Sequence, residues 1–245
     1  MARPPGHGPG YEIKRQEIID KAAALFAKKG YAATGIAEVG DVAGLARGAL
    51  YYYIGSKEHL LVEIQDRVMR PMLANVHRIA ALDEDPVLRL RMLSQTLLEN
   101  ILARLDHVWV YEHDYRNLRG ANRSRLLDQR REFEGVVQQL LVAAMEDGSF
   151  RKLDPRLATL QFLNMHNHTY QWINPAGEWD AGLLSREYCA TLFRGFASPG
   201  YGFDDLEDRM DEFLAKRETA TPEPIRHGQG SDPAPSPRRR AAKRG

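Results

Sequence analysis

The chain has 245 residues, a formal net charge of +1 and 27% charged residues, the balance of an ordinary globular protein with a sizeable core to bury. One cysteine, Cys189, excludes an internal disulfide framework and suits a reducing compartment. No apolar run approaches the roughly 20 residues that span a bilayer, and the segment from Met1 to Gly8 lacks the apolar centre of a secretory signal, so a cytoplasmic protein without membrane contact is expected.

The Gly- and Pro-rich start predicts a disordered arm over residues 1–11. A first helix carries Ile18, Ala22, Leu25 and Phe26 on one face and stops at Gly30. Thr34 or Gly35 can cap a short second helix that closes at Ala43-Gly44. A very short third helix runs from about Arg47 to Tyr53, and Ser56 caps a long fourth one. Leu60, Leu61, Ile64, Val68, Met72, Val76 and Ile79 hold helical spacing along that fourth helix. Pro71 lies inside it and predicts a kink. Asp85-Pro86 opens a helix through Leu105. The aromatic stretch Trp109 to Leu118 reads as a short or irregular helix, and Leu126 to Met145 as a long one. Asp154-Pro155 opens a helix to about Ile173, and the last packed helix spans Ala181 to Ala197. A short polar helix is expected over 201–217 and a disordered basic tail over 218–245. No stretch alternates like a strand. The reading is all-α, with about nine helices.

The most specific segment is Asp41 to Glu58: helix stop, tight turn, short tyrosine-rich helix, and a fresh helix start at Ser56-Lys57-Glu58. That is the outline of a helix-turn-helix whose second helix enters the major groove. Arg47 stands at the end of the third helix that meets base edges and can bond a guanine bidentately. Gly48 lets the backbone approach the groove floor, and Leu50 turns to the core. Tyr51, Tyr52 and Tyr53 cannot all be buried on so short a helix. Their hydroxyls suit phosphates and their rings suit thymine methyls. Lys57 and Thr34, each in the first turn of a helix, are the further candidate phosphate contacts.

With Ala24-Leu25-Phe26, Gly30-Tyr31, Thr34, Ala43-Gly44, Arg47-Gly48, Leu50-Tyr51-Tyr52-Tyr53 and Ser56-Lys57-Glu58, residues 12–72 resemble the DNA-binding domain of the tetracycline-repressor (TetR) family of bacterial transcriptional regulators. Gly35, Gly40, Ala46 and Ile54 depart from the family pattern. Two glycines read as mid-helix and a missing turn cap suggest a looser reading head. The resemblance implies a ligand-binding and dimerisation domain over 73–200, a palindromic double-stranded operator, and homodimers joined through the last two long helices. The apolar stripes with Leu160, Leu184, Tyr188, Thr191 and Leu192 are the interface candidates, and Cys189 reads as a buried small residue. The segments Phe150 to Ala158, Thr169 to Trp172 and Pro175 to Gly177 are similar to a subgroup linked to fatty-acid and steroid breakdown, whose effector is often an acyl-coenzyme A thioester.

Trp109, His113, Phe133, Phe162, His166, Tyr170 and Trp172 are the candidate walls of a pocket for a small, largely apolar effector. His166 and His168 are two apart and face different sides of a helix, so no metal site is expected, nor any cofactor. Cys189 with His166 or His168 is the lone nucleophile–base set, without a nucleophile elbow or phosphate loop, which argues against an enzyme. The expected protein is a dimeric repressor released from DNA by its effector. The alternative is a helical dimeric sensor or scaffold that has lost specific DNA binding.

Overall fold

A computed structural model describes residues 8–220, which are helical almost throughout, with one isolated β-bridge between Phe150 and Ala197. The first helix, α1 (Pro9–Lys29), opens on a proline, whose missing N–H is no loss in a first turn. It thus begins inside the arm expected over 1–11; residues 1–7 of that arm lie outside the described residues. Ile18, Ile19, Ala22, Ala23 and Phe26 bury its inner face, and Gly30 ends it with φ of +83°.

Two more short helices follow, α2 (Ile36–Ala43) and α3 (Arg47–Ile54). Thr34 does not cap α2. Its hydroxyl donates back to the Gly30 carbonyl at 2.8 Å, and the side chain is buried. Gly35 occupies the cap position in extended conformation, and its N–H donates to Glu38 Oε2 at 2.8 Å. The mid-helix penalty expected for Gly35 therefore does not apply. Gly40 is a second correction. A Cβ there would stand 2.9 Å from the Leu45 carbonyl oxygen, and the Leu45 N–H itself bonds the Gly40 carbonyl at 2.9 Å. Glycine lets the turn between α2 and α3 close, so this head is tighter at that point, not looser. Gly44 completes the turn in the left-handed region, with φ 68° and ψ 36°. Ala46 precedes α3 without a side-chain cap, as its apolar side chain requires.

Ser56 caps α4 (Lys57–Ala80), accepting from the His59 N–H at 3.0 Å. Pro71 lies within this helix and leaves the carbonyl of Arg67 without its usual helical donor. Asp85 caps α5 (Pro86–Ala103) through the N–H groups of Val87 and Leu88. The apolar spacing predicts that α5 continues to Leu105. It breaks instead at Arg104, whose φ of −149° and ψ of 51° are not helical, and α6 (Leu105–His113) starts there in a new direction. A 3₁₀ turn at Tyr115–Asn117 leads to α7 (Gly120–Glu146), which begins six residues before its apolar face does. Asp154 caps α8 (Pro155–Asn167), which tightens into a 3₁₀ turn at His168–Gln171 rather than running on as an α-helix. Asp180 caps α9 (Ala181–Phe196), and α10 (Leu206–Ala220) follows. Residues through Met210 form one unit; the described part of the second, from Asp211, is the remainder of α10. The basic tail after Ala220 lies outside the described residues.

α5 is the central helix of the first unit, packed against α4, α7, α8 and α9. It carries two polar groups into the core. Arg91, 2% exposed, pairs bidentately with Glu207 at 2.7 and 2.8 Å and donates to Ser185 Oγ at 2.9 Å. Ser94 faces His166 Nε2 at 2.6 Å while His166 Nδ1 lies 2.7 Å from the Phe162 carbonyl. A carbonyl only accepts, so Nδ1 carries the proton and Nε2 accepts from Ser94. Cys189 is buried beside this network, and burial pushes its thiol up to about 12.

Burial lowers the pKa of His166 to about 4, and burial with the charge of Arg67 does the same to His107. The unfolded chain takes up these protons near pH 6.5 and the folded chain refuses them. Stability is therefore complete above that pH and falls toward pH 4, by roughly 3 kcal/mol for each histidine. Urea midpoints followed from pH 7 to 4 should show this loss, and His166→Gln should remove about half of the slope.

Candidate nucleic-acid interface and effector cavity

Leu50 and Ile54, four apart, anchor α3 in the core of the head. The opposite face presents Arg47, Gly48, Ala49 and Tyr52 to solvent, Tyr52 with 61% of its surface exposed. Arg47 also lies over the Tyr51 ring, 5.7 Å from its centroid, so Tyr51 supports the arginine and is itself half-buried. Tyr53 is stacked on Tyr11 of α1 at 4.9 Å. The Tyr11 hydroxyl reaches the carbonyls of Tyr52 and Tyr53 at 3.3 and 3.5 Å. The outer tyrosines are thus shelved on an aromatic residue that the sequence reading placed in the disordered arm.

Two proposed phosphate contacts are occupied inside the protein. The Lys57 ammonium turns inward to the Tyr31 carbonyl at 2.5 Å and sits 4.1 Å from the Tyr31 ring centroid; burial holds its pKa below the usual lysine value. Thr34 is spent on Gly30 as described. Lys57 is better understood as the pin of the α1–α2 turn than as an outward clamp. The same turn is held from the other side, where the Tyr31 N–H donates to Asp114 Oδ2 at 3.2 Å.

Behind the head lies a cavity of about 150 Å³ between α4, α5, α6, α7 and α8. Val68, Met69, Met72, Val108, Phe133 and Leu163 give it an apolar wall, and Arg67, Arg104, Arg130, Glu112 and Glu134 bring charge to it. Of the seven candidates from sequence, Phe133 alone is on this wall. Phe162 and His166 are fully buried in the neighbouring core. Trp109, stacked on His113 at 4.3 Å with Tyr170 edge-on, belongs to an outer aromatic cluster, and Trp172 pairs with Trp179 in an exposed segment. The sequence reading missed the polar wall. Arg130 lies between the rings of Tyr111 and Tyr115, at 4.2 and 4.4 Å, and donates to the Tyr111 hydroxyl at 2.8 Å. Tyr111 in turn donates to Met69 Sδ at 3.2 Å, and burial raises its pKa to about 12. Glu112 stands 4.0 Å from Arg130, its pKa raised by burial.

The interface candidates divide. Leu160 and Thr191 are exposed, Leu192 and Tyr188 are half-buried, and Leu184 is buried in the core. Tyr188 is engaged with Thr169, oxygen to oxygen at 2.9 Å. Leu157 on α8 and Leu183 on α9 add exposed apolar surface.

A short exposed helix after a tight turn, joined by one long helix to a helical body that carries a cavity, defines a helix-turn-helix regulator. The chain belongs to the tetracycline-repressor family. Residues 18–64 match the model of bacterial regulatory proteins of the tetR family, and residues 83–196 match a tetracyclin repressor-like C-terminal domain. It is 30% identical to the HTH-type transcriptional repressor KstR2 of Rhodococcus jostii, over 81% of this chain and 99% of that protein. The structure of the ketosteroid transcriptional regulator KstR2 of Mycobacterium tuberculosis aligns with a TM-score of 0.72 at 26% identity, covering 76% of this chain and 95% of that one. AibR, crystallised with isovaleryl coenzyme A and operator DNA, shares the fold at 23% identity with a TM-score of 0.66, over 74% and 98% of the two chains. The protein is therefore a DNA-binding transcriptional regulator of the repressor type and not an enzyme. No helix among the described residues is long and apolar enough to cross a membrane.

Proposed function

We propose that this protein is a homodimeric repressor whose grip on a palindromic operator is released when a small, largely apolar effector, the acyl part of a coenzyme A thioester among the candidates, enters the cavity. The observation that carries the reading is the double duty of α4. Its first residue pins the head turn through Lys57, and its middle residues Arg67, Val68, Met69 and Met72 line the cavity. A ligand that prefers a different position of α4 shifts the spacing of two reading helices away from successive major grooves, about 34 Å apart. Arg47, Gly48 and Tyr52 read or approach bases, with Tyr51 and Tyr53 in support. The work divides between a head over 12–72 and an effector and dimer portion over 73–200. Leu157, Leu160 and Leu183 supply the apolar surface that a second copy would cover.

Gel-shift titrations with DNA from around its own gene test this. Tight, sequence-specific, salt-sensitive binding by a species that sediments as a dimer is expected. A monomer, or affinity equal on scrambled DNA, would sink the reading.

A further inference from the structure

We propose that the cavity receives a compact carboxylate, an apolar body ending in one negative charge, held between Arg104 and Arg67, and that this carboxylate takes Arg67 from Asp20. The inference rests on the ligand-gated reading above and names the chemistry of that site.

Size comes first. A cavity of about 150 Å³ is comparable to engineered apolar cavities that hold benzene, so the body of the ligand is small. Charge sets the other end. Arg130 is already engaged with Tyr111 and faces Glu112, while Glu134 is exposed on α7. That leaves two cations on one stretch of wall. Arg104 sits at the break between α5 and α6, and its guanidinium has no hydrogen bond or ion pair with any described residue. Arg67 is 12% exposed along its side chain and has the charge of Arg104 nearby. A carboxylate entering between them meets two forked donors and screens their repulsion.

Arg67 also helps to fasten α4 to α1, beside the Arg15–Glu63 pair at 2.9 Å. Its guanidinium pairs with Asp20 and Gln16 Oε1, donates to the Gln16 carbonyl at 3.3 Å, and lies 3.3 Å from His107 Nε2. Gln16 and Asp20 belong to α1, the first helix of the head. Asp20 is 57% exposed, and His107 is held neutral by burial. The ligand therefore offers Arg67 the same group as Asp20, with Arg104 as a second cation nearby. Exchange removes one of the polar ties between α1 and α4 and leaves the Arg15–Glu63 pair, so a local swap of carboxylates loosens the reading head.

Calorimetric titration of the full chain with straight-chain acids from butanoate to decanoate, their amides and their coenzyme A thioesters tests the assignment. At least one acid should bind, with its amide weaker by about tenfold or more. Arg104→Gln, a change at an exposed site, should cost a similar factor, whereas Asp20→Asn should bind the acid more tightly because the competitor has lost its charge. A merely structural role for Asp20 would not move affinity upward. No binding by any acid, equal binding of acid and amide, or an unchanged Arg104→Gln would overturn the proposal. A thioester that binds and releases DNA while every acid fails would remove the carboxylate assignment and leave the ligand-gated repressor standing.

Discussion

Arg47→Ala should weaken specific operator binding by roughly 10- to 100-fold, the consequence of losing about 1–3 kcal/mol of base-edge contact. The loss should appear as relaxed sequence preference, with the midpoint of unfolding unchanged, because Arg47 is exposed and its inward partner is the Tyr51 ring. Tyr52→Phe is the companion test. The ring keeps its contacts with Tyr11 and Tyr53 while the hydroxyl that would reach a phosphate is gone, so affinity should fall several-fold on specific and non-specific DNA alike. Lys57→Ala should behave differently. Removing the pin on the Tyr31 carbonyl should lower stability together with affinity, a signature that separates it from a direct phosphate contact. Competition gel shifts alongside urea unfolding distinguish the three. An Arg47→Ala chain that keeps full specificity would place the reading elsewhere.

Glu207→Gln should destabilise the protein by on the order of 3 kcal/mol. Arg91 is the largest of the almost fully buried side chains among the described residues, and the glutamate supplies both oxygens of its fork. With the charge removed, one amide oxygen, Ser185 and Gln95 remain as neutral acceptors for a cation that has no route to water, and the amide NH2 cannot accept the second bond of the fork. Replacing both partners, Arg91→Met with Glu207→Leu, should recover most of the loss, since it removes the stranded charge. Denaturant unfolding of the single and double variants checks this, and equal losses in both would refute it. The pair also has a pH signature. Burial pushes the Glu207 carboxyl up, but the charges and hydrogen bonds of Arg91 and Arg186 outweigh it and hold the group below the usual range. A depressed carboxylate contributes stability above its unfolded pKa and loses it as pH falls through the folded value, so acid undoes this tie after it has already strained the two buried histidines.

Much of this was legible in the chain because helix starts have local chemistry. Ser56, Asp85 and Asp154 each cap the helix their side chains announce, and the alternation of Leu50 and Ile54 against Arg47 and Tyr52 gives the inner and outer faces of α3. Periodicity gives a face but not a neighbour. Trp109 and Trp172 look like pocket walls by type, yet they end on the surface, while Met69, Met72 and Leu163 form the wall because five helices happen to cross there. The break at Arg104 was hidden because Leu97, Ile101 and Leu105 keep perfect spacing across it. The inward bond of Lys57 and the turn role of Gly40 are hidden for one reason: they depend on carbonyl oxygens of Tyr31 and Leu45, and a backbone group leaves no mark in a sequence.

α6 has two sides with different partners. Val108, Tyr111 and Glu112 turn toward the cavity, while His107 and Asp114, at its two ends, touch Arg67 and the Tyr31 turn. Val108 and Glu112 form one stripe of this rod, while His107 shares a second with Tyr111 and reaches Arg67, which itself lines the cavity, so sensing and reporting meet along that second stripe. Inheritance can rewrite the first stripe without erasing the second. A lineage could adopt a new chemical cue through substitutions at Val108 or Glu112 and keep the same genes under command.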